Sequence, residues 1–147
     1  MAAEPPAFMK RAISISVVAL AALYSLTGCV TTGTQPGSFA SVQPVLERYC
    51  VHCHGTTRLK FMPAIGTSAE LAKLRGEAKF IVPGKPEASR FYQVTILADD
   101  EPGAMPPSGH AIPKRETDKI RQWILAGAEL PAVPVPLVPH GQVPRSR

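Results

Sequence analysis

The chain has 147 residues and a formal charge of +5, from 16 Lys and Arg against 11 Asp and Glu. That length admits one compact domain. The positive excess is mild and spread out, with no basic block interleaved with aromatics, which excludes a nucleic-acid-binding stripe.

The first thirty residues read as an export address. Lys10 and Arg11 precede the uncharged run Ala12 to Leu26, which ends in Leu26-Thr27-Gly28-Cys29. Basic, then apolar, then small is the order of a secretory signal, and about 15 apolar residues are too few to span a hydrocarbon core of about 30 Å. Glu4, Pro5 and Pro6 suit neither a basic start nor a helix, which favours Met9 over Met1 as the initiator. Leu-Thr-Gly-Cys resembles the bacterial lipoprotein processing box. The resemblance implies removal of residues 1–28 and acylation of Cys29, with lipid holding the mature chain at a membrane surface. Val30, where an aspartate often signals inner-membrane retention, favours the outer membrane by the same resemblance. An uncleaved anchor, or a chance cysteine after an ordinary signal, is the competing reading. Setting residues 1–28 aside removes Lys10, Arg11 and Glu4 and leaves a charge of about +4.

Residues 29–38 are small, polar and rich in turn formers, a flexible tether. The domain is expected over 39–130. Val42, Val45, Leu46 and Tyr49 recur at three- and four-residue spacing and mark one apolar helix face running into Cys50, with Pro44 in its first turn. Thr67 and Glu70 have capping-box spacing ahead of Leu71 and Leu74, and Gly76 closes that helix. Pro86 opens a third helix over Glu87 to Ile96, and Ile120, Trp123 and Ile124 form the buried stripe of a fourth that Gly127 ends. No strand alternation competes, so the fold class is all-α. From Pro131 onward prolines alternate with valines, and 131–147 reads as a proline-rich disordered tail. A core of roughly 90 residues buries little apolar surface, and a bound cofactor would supply the missing stability.

Cys50-Val51-His52-Cys53-His54 carries the chemistry, because Cys-x-x-Cys-His is the attachment signature of c-type haem. On a helical turn Cys50 and His54 share a face, so two thioethers grip the porphyrin edge while His54 reaches the iron as proximal ligand. Three blander readings stand beside it: a redox dithiol, a zinc site and a chance match. The dithiol wants a strand-helix-strand frame, and structural zinc usually takes a second tight ligand pair; the pattern offers neither. His52, inside the motif, reads as a surface residue. For the sixth iron position the candidates are Met105, His110 and Met62, or no ligand. Met105 is preferred, because Gly103-Ala104-Met105-Pro106-Pro107 is irregular and projects a side chain inward about fifty residues after His54. A filled sixth position suits electron transfer, and an open one suits a peroxidase or gas sensor.

Four stretches together resemble the monohaem c-type cytochrome domains of the planctomycete type. They are Val45 to Gly55, Ile81 to Tyr92, Met105-Pro106-Pro107 and Trp123 to Ala128. The resemblance covers most of the mature chain. It implies a class I cytochrome c-like fold, helical throughout, whose first and last helices cross beside one covalent haem c, with Met105 opposite His54. Pro113-Lys114-Arg115 departs from it, standing where the family carries acidic residues before the last helix. Pro83 and Pro86 around Gly84 fix a rigid turn against the haem edge, from which Ser89 and Arg90 are placed to hydrogen-bond a propionate. Asp99, Asp100 and Glu101 form an acidic run, read as a solvated loop or a docking patch. The expected function is electron transfer rather than enzymatic turnover, as a carrier or as the electron-accepting subunit of a larger redox complex, on the periplasmic side of a Gram-negative membrane. Its expected partners are redox proteins of the periplasm or membrane and the lipid on Cys29, with no nucleic acid.

Overall fold

A computed structural model describes residues 34–107 and 109–142. The expected signal segment, Cys29, the first part of the tether, Ser108 and residues 143–147 lie outside the described residues. The described residues are helical, with no strand beyond an isolated bridge between Thr67 and Pro136.

Helix α1 spans Phe39–Tyr49, and its four expected apolar residues are all buried. Pro44 is the sixth residue of this helix rather than part of its first turn. It lacks the N–H that would bond Ala40, but both residues are exposed, so water can satisfy the Ala40 carbonyl. The backbone kinks at Cys50 and continues as α2, Val51–His54. Helix α3, Ser68–Gly76, starts as its cap predicts, with the Glu70 N–H donating to Thr67 Oγ1 at 3.2 Å.

The expected third helix is broken in two: a 3₁₀ turn at Pro86–Ala88 and a short α4 at Arg90–Gln93. Ser89 causes the break. Fully buried, it takes the Val82 N–H on its Oγ at 2.9 Å and donates to the Lys85 carbonyl at 2.9 Å, ties that compete with a continuous helix. Helix α5, Lys114–Leu125, buries Thr117, Ile120, Trp123 and Ile124. It starts behind Pro113 and carries an exposed Lys114–Asp118 pair at 2.7 Å, worth about 0.3–0.5 kcal/mol. Gly127 ends it at φ +106°, and the Ala128 N–H returns to the Trp123 carbonyl at 2.8 Å.

The core forms where α1 packs on α5. Trp123 is fully buried and meets Phe39 and Phe91 edge-on, with ring centroids 6.5 and 6.3 Å away. Its Nε1–H donates to the Glu129 carbonyl at 2.8 Å, so the one polar atom of the indole is satisfied. Gly37 lets the chain approach the end of α5. It sits at φ +80°, and a Cβ there would lie 3.0 Å from Ala126 Cβ and 3.2 Å from the Gln122 carbonyl.

Two expectations about the chain ends need correction. Residues 35–38, assigned to a flexible tether, form a turn closed by Ser38 donating to the Gln35 carbonyl, with Gly37 buried. Residues 131–142, assigned to a disordered tail, return across the body. Leu137 is 4% exposed, its N–H donates to the Gly66 carbonyl at 2.9 Å, and the His140 N–H donates to the Glu47 carbonyl at 3.0 Å. Prolines keep this segment out of helices, yet an extended strap docks one apolar residue at a time.

Trp123→Ala is expected to lower the unfolding free energy by about 3–5 kcal/mol through lost transfer energy and a residual cavity. A urea titration at unchanged slope measures it, and a loss under about 1 kcal/mol would contradict this placement of the indole.

Candidate functional site

Cys50, Cys53 and His54 are held by the kinked continuation of α1. The Cys53 and His54 N–H groups both reach the Cys50 carbonyl, at 3.2 and 3.0 Å. Both cysteines are free thiols in different surroundings: Cys50 packs against the core, and Cys53 is exposed. Burial, and secondarily the neighbouring Cys53, push the Cys50 thiol up to about 12.

The loop after the motif turns back and grips the imidazole. His54 Nδ1 lies 3.0 Å from the Pro63 carbonyl oxygen. A carbonyl only accepts, so Nδ1 carries the proton and Nε2 keeps its lone pair for a ligand-binding role. The Ile65 N–H donates to the His54 carbonyl at 2.9 Å, closing the loop a second time. Gly55 makes the reversal possible, because a Cβ there would meet the Val51 carbonyl oxygen at 2.5 Å. His52, expected at the surface, is half-buried, and its Nε2 has no partner among the described residues.

Met105 lies on a separate loop. Its N–H donates to the Val94 carbonyl at 2.8 Å, and its side chain is 39% exposed at a cavity of about 370 Å³ lined also by Val94, Ile96, Pro106 and Ile112. The loop is closed by Asp99, whose two carboxylate oxygens each lie 3.1 Å from the Gly109 N–H. Asp99, expected in a solvated or docking run, therefore organises the segment that presents Met105. His110 is half-buried at the end of the same loop. Met62 lines a second cavity of about 430 Å³ with Arg58, Phe61, Leu74 and Phe80. Neither cavity is lined by Cys50, Cys53 or His54. The thiol and imidazole set is thus brought together locally, and Met105 belongs to a different wall.

Arg90 is exposed, and its Nη2 lies beside Gly103 of the Met105 loop, 3.4 Å from where a Cβ would stand. Ser89, the other expected propionate donor, is buried and already committed to Val82 and Lys85. The turn at Gly84 is tied to α5 through its N–H, which donates to the Ile124 carbonyl at 2.7 Å. Four large apolar side chains stand open to solvent on the two loops: Leu59 and Phe61 after the motif, Ile96 and Met105 on the other.

Sequence reasoning missed Pro63 and Asp99. A proline carbonyl has no signature of its own in a sequence, whereas an aspartate ten residues before a glycine is a weak loop-closing signal. Among the described residues, no three His, Cys, Asp or Glu side chains gather as a metal-holding group, and no helix is long and apolar enough to cross a membrane. No protein-family model, curated protein or solved structure matches the chain.

With both thiols free, iodoacetamide at pH 8 is expected to label Cys53 well before Cys50. The Cys50 rate should rise about tenfold per pH unit between 8 and 10, because only the thiolate reacts. The unfolded thiol ionises near 9 and the folded one near 12, so this site's contribution to stability is intact below 9 and falls as pH rises towards 12. Peptide mass spectrometry of timed samples gives both rates, and equal labelling would refute the buried setting of Cys50.

Proposed function

We propose that this chain is an exported, lipid-anchored electron-transfer protein that carries one covalently attached c-type haem. The observation that supports this most is the state of His54. Its Nδ1 is committed to the Pro63 carbonyl, which leaves the Nε2 lone pair available one helical turn from Cys50, with Cys53 exposed beside it. Free thiols at that spacing, with a histidine in the metal-binding tautomer, suit a porphyrin held through its edge and its iron.

In this reading Cys50 and Cys53 would hold the porphyrin through thioethers, and His54 Nε2 would bind its iron. Haem would supply the one-electron couple. The Pro63 carbonyl orients the imidazole, as second partners of metal-bound histidines do. Met105 offers a soft sulfur for the opposite position from a loop secured by Asp99 and Val94. Leu59, Phe61, Ile96 and Met105 are apolar side chains that a large apolar group would cover, a better use of them than solvent exposure. Arg90, beside the Met105 loop, is the nearest candidate for a propionate contact there. The class I cytochrome c-like arrangement belongs to the same proposal, supported by the packing of α1 on α5. Cys29 would hold the domain at the periplasmic face of a membrane, where redox proteins are its partners.

The exposure of Met105 favours one further reading, in which its sulfur is displaceable and the haem binds small ligands as a sensor or peroxidase does. The full chain, co-expressed with haem-attachment machinery, is expected to keep its haem under denaturing conditions, and the paired change Cys50→Ser and Cys53→Ser should abolish this. A weak oxidised absorption near 695 nm, about the region of methionine-ligated ferric haem, together with no response to carbon monoxide, would support the carrier. Met105→Ala should then remove that band and admit carbon monoxide. Rapid carbon monoxide binding by the parent would select the sensor or peroxidase reading, and a parent without haem would end both.

A further inference from the structure

We propose that the C-terminal strap, residues 135–140, is a positioning element for His54. The inference rests on the haem reading for what His54 does, but its geometry stands apart from it.

Each non-proline donor from Val135 to His140 has a partner in the two segments that flank the Cys-x-x-Cys-His motif. The Val135 N–H donates to Ser68 Oγ at 2.9 Å, and the Leu137 N–H to the Gly66 carbonyl at 2.9 Å. The Val138 N–H reaches Glu47 Oε1 at 3.4 Å, and the His140 N–H donates to the Glu47 carbonyl at 3.0 Å. In return the Val135 carbonyl accepts from the Ser68 N–H at 2.9 Å. Pro136 and Pro139 fall where no donor is needed. Prolines hold the strap extended before it docks, so little conformational entropy is lost on docking. Leu137, 4% exposed, supplies the apolar anchor.

These two segments are the ones that fix the imidazole. Glu47 lies in α1 three residues before Cys50, and 65–68 directly follows the Pro63 carbonyl that holds Nδ1. Ile65, which bonds the His54 carbonyl, adjoins Gly66, which bonds the strap. A Cβ at Gly66 would come within 3.4 Å of Gly55 Cα, so the loop and the residue after His54 are already in close contact. Helix α3, which this loop leads into, buries Leu71 and Leu74 in the core, and the strap bonds its first residue, Ser68, through both N–H and Oγ. The strap therefore ties both ends of the reversal around His54 together.

The test is native-state hydrogen exchange on the haem-loaded full chain, with its reduction potential measured alongside. Leu137→Ala removes the anchor, Val135→Pro removes a single N–H from a segment already extended, Leu137→Ile restores the anchor, and Ile120→Val is a control for general destabilisation. In the first two variants the Ile65 amide and the His54 Nδ1–H are expected to exchange about tenfold faster, while α5 amides change by less than about twofold. The potential should move in the same two variants, return with Leu137→Ile, and stay put in Ile120→Val. Equal acceleration of the loop and α5, no acceleration of Ile65, or local acceleration with an unmoved potential would each overturn the positioning role. A parent chain that retains no haem overturns the haem reading alone, because the two exchange rates in that same chain still decide on the strap.

Discussion

The packing of α1 on α5 around Trp123 is the constraint on which the remaining structure depends. The indole is fully buried, meets an aromatic ring from the start of α1 and another from α4, and spends its only polar atom on the Glu129 carbonyl. Burying a side chain of this size contributes several kcal/mol, comparable with the whole margin by which a small domain is stable. Every other placement follows. Gly37 exists in its left-handed conformation because the turn before α1 must pass the end of α5 at contact distance. The Gly84 turn is bonded to that same helix end. Helix α1, once fixed by this packing, delivers Cys50 at its end with one flank against the core.

From that anchor the two walls of the candidate site acquire different characters. Cys50, Cys53 and His54 extend from a packed helix, and the loop that follows is bonded to His54 at both its ring and its carbonyl. The Met105 N–H bonds the Val94 carbonyl and the Asp99 carboxylate bonds the Gly109 N–H, and the Met105 side chain stays substantially exposed.

Most of the helical frame was legible in the sequence, because periodicity and caps are local signals. The face Val42, Val45, Leu46 and Tyr49 and the stripe Ile120, Trp123 and Ile124 are buried as spacing requires, and Thr67 caps α3. Failures came where a distant partner overrides the local signal. Ser89 looks like an ordinary helix residue, yet its hydroxyl accepts from the Val82 N–H and donates to the Lys85 carbonyl, ties that break the helix there. Asp99 looks like part of a solvated acidic run until Gly109 is brought to it. Cys50, Cys53 and His54 could be singled out as candidates because their motif is a matter of spacing alone. The proton on Nδ1 could not be, since it depends on a carbonyl nine residues away.

The proline-rich terminus shows why composition misleads in one direction. Alternating prolines and valines cannot fill a core, and inferring disorder from that treats core formation as the only way to be ordered. A segment that remains extended needs a groove with acceptors at its few N–H positions and a pocket for one apolar side chain. Here Ser68, Gly66 and Glu47 provide the acceptors, and Leu137 is the side chain that is buried. Because proline restricts the free segment to conformations near the docked one, ordering costs less than for a flexible tail. Five hydrogen bonds worth about 1 kcal/mol each and one leucine worth about 2 kcal/mol work against the ordering cost that remains. What sets order apart from disorder in such a segment is the register of its non-proline positions against acceptors elsewhere in the fold, and a hydropathy or composition profile does not contain that register.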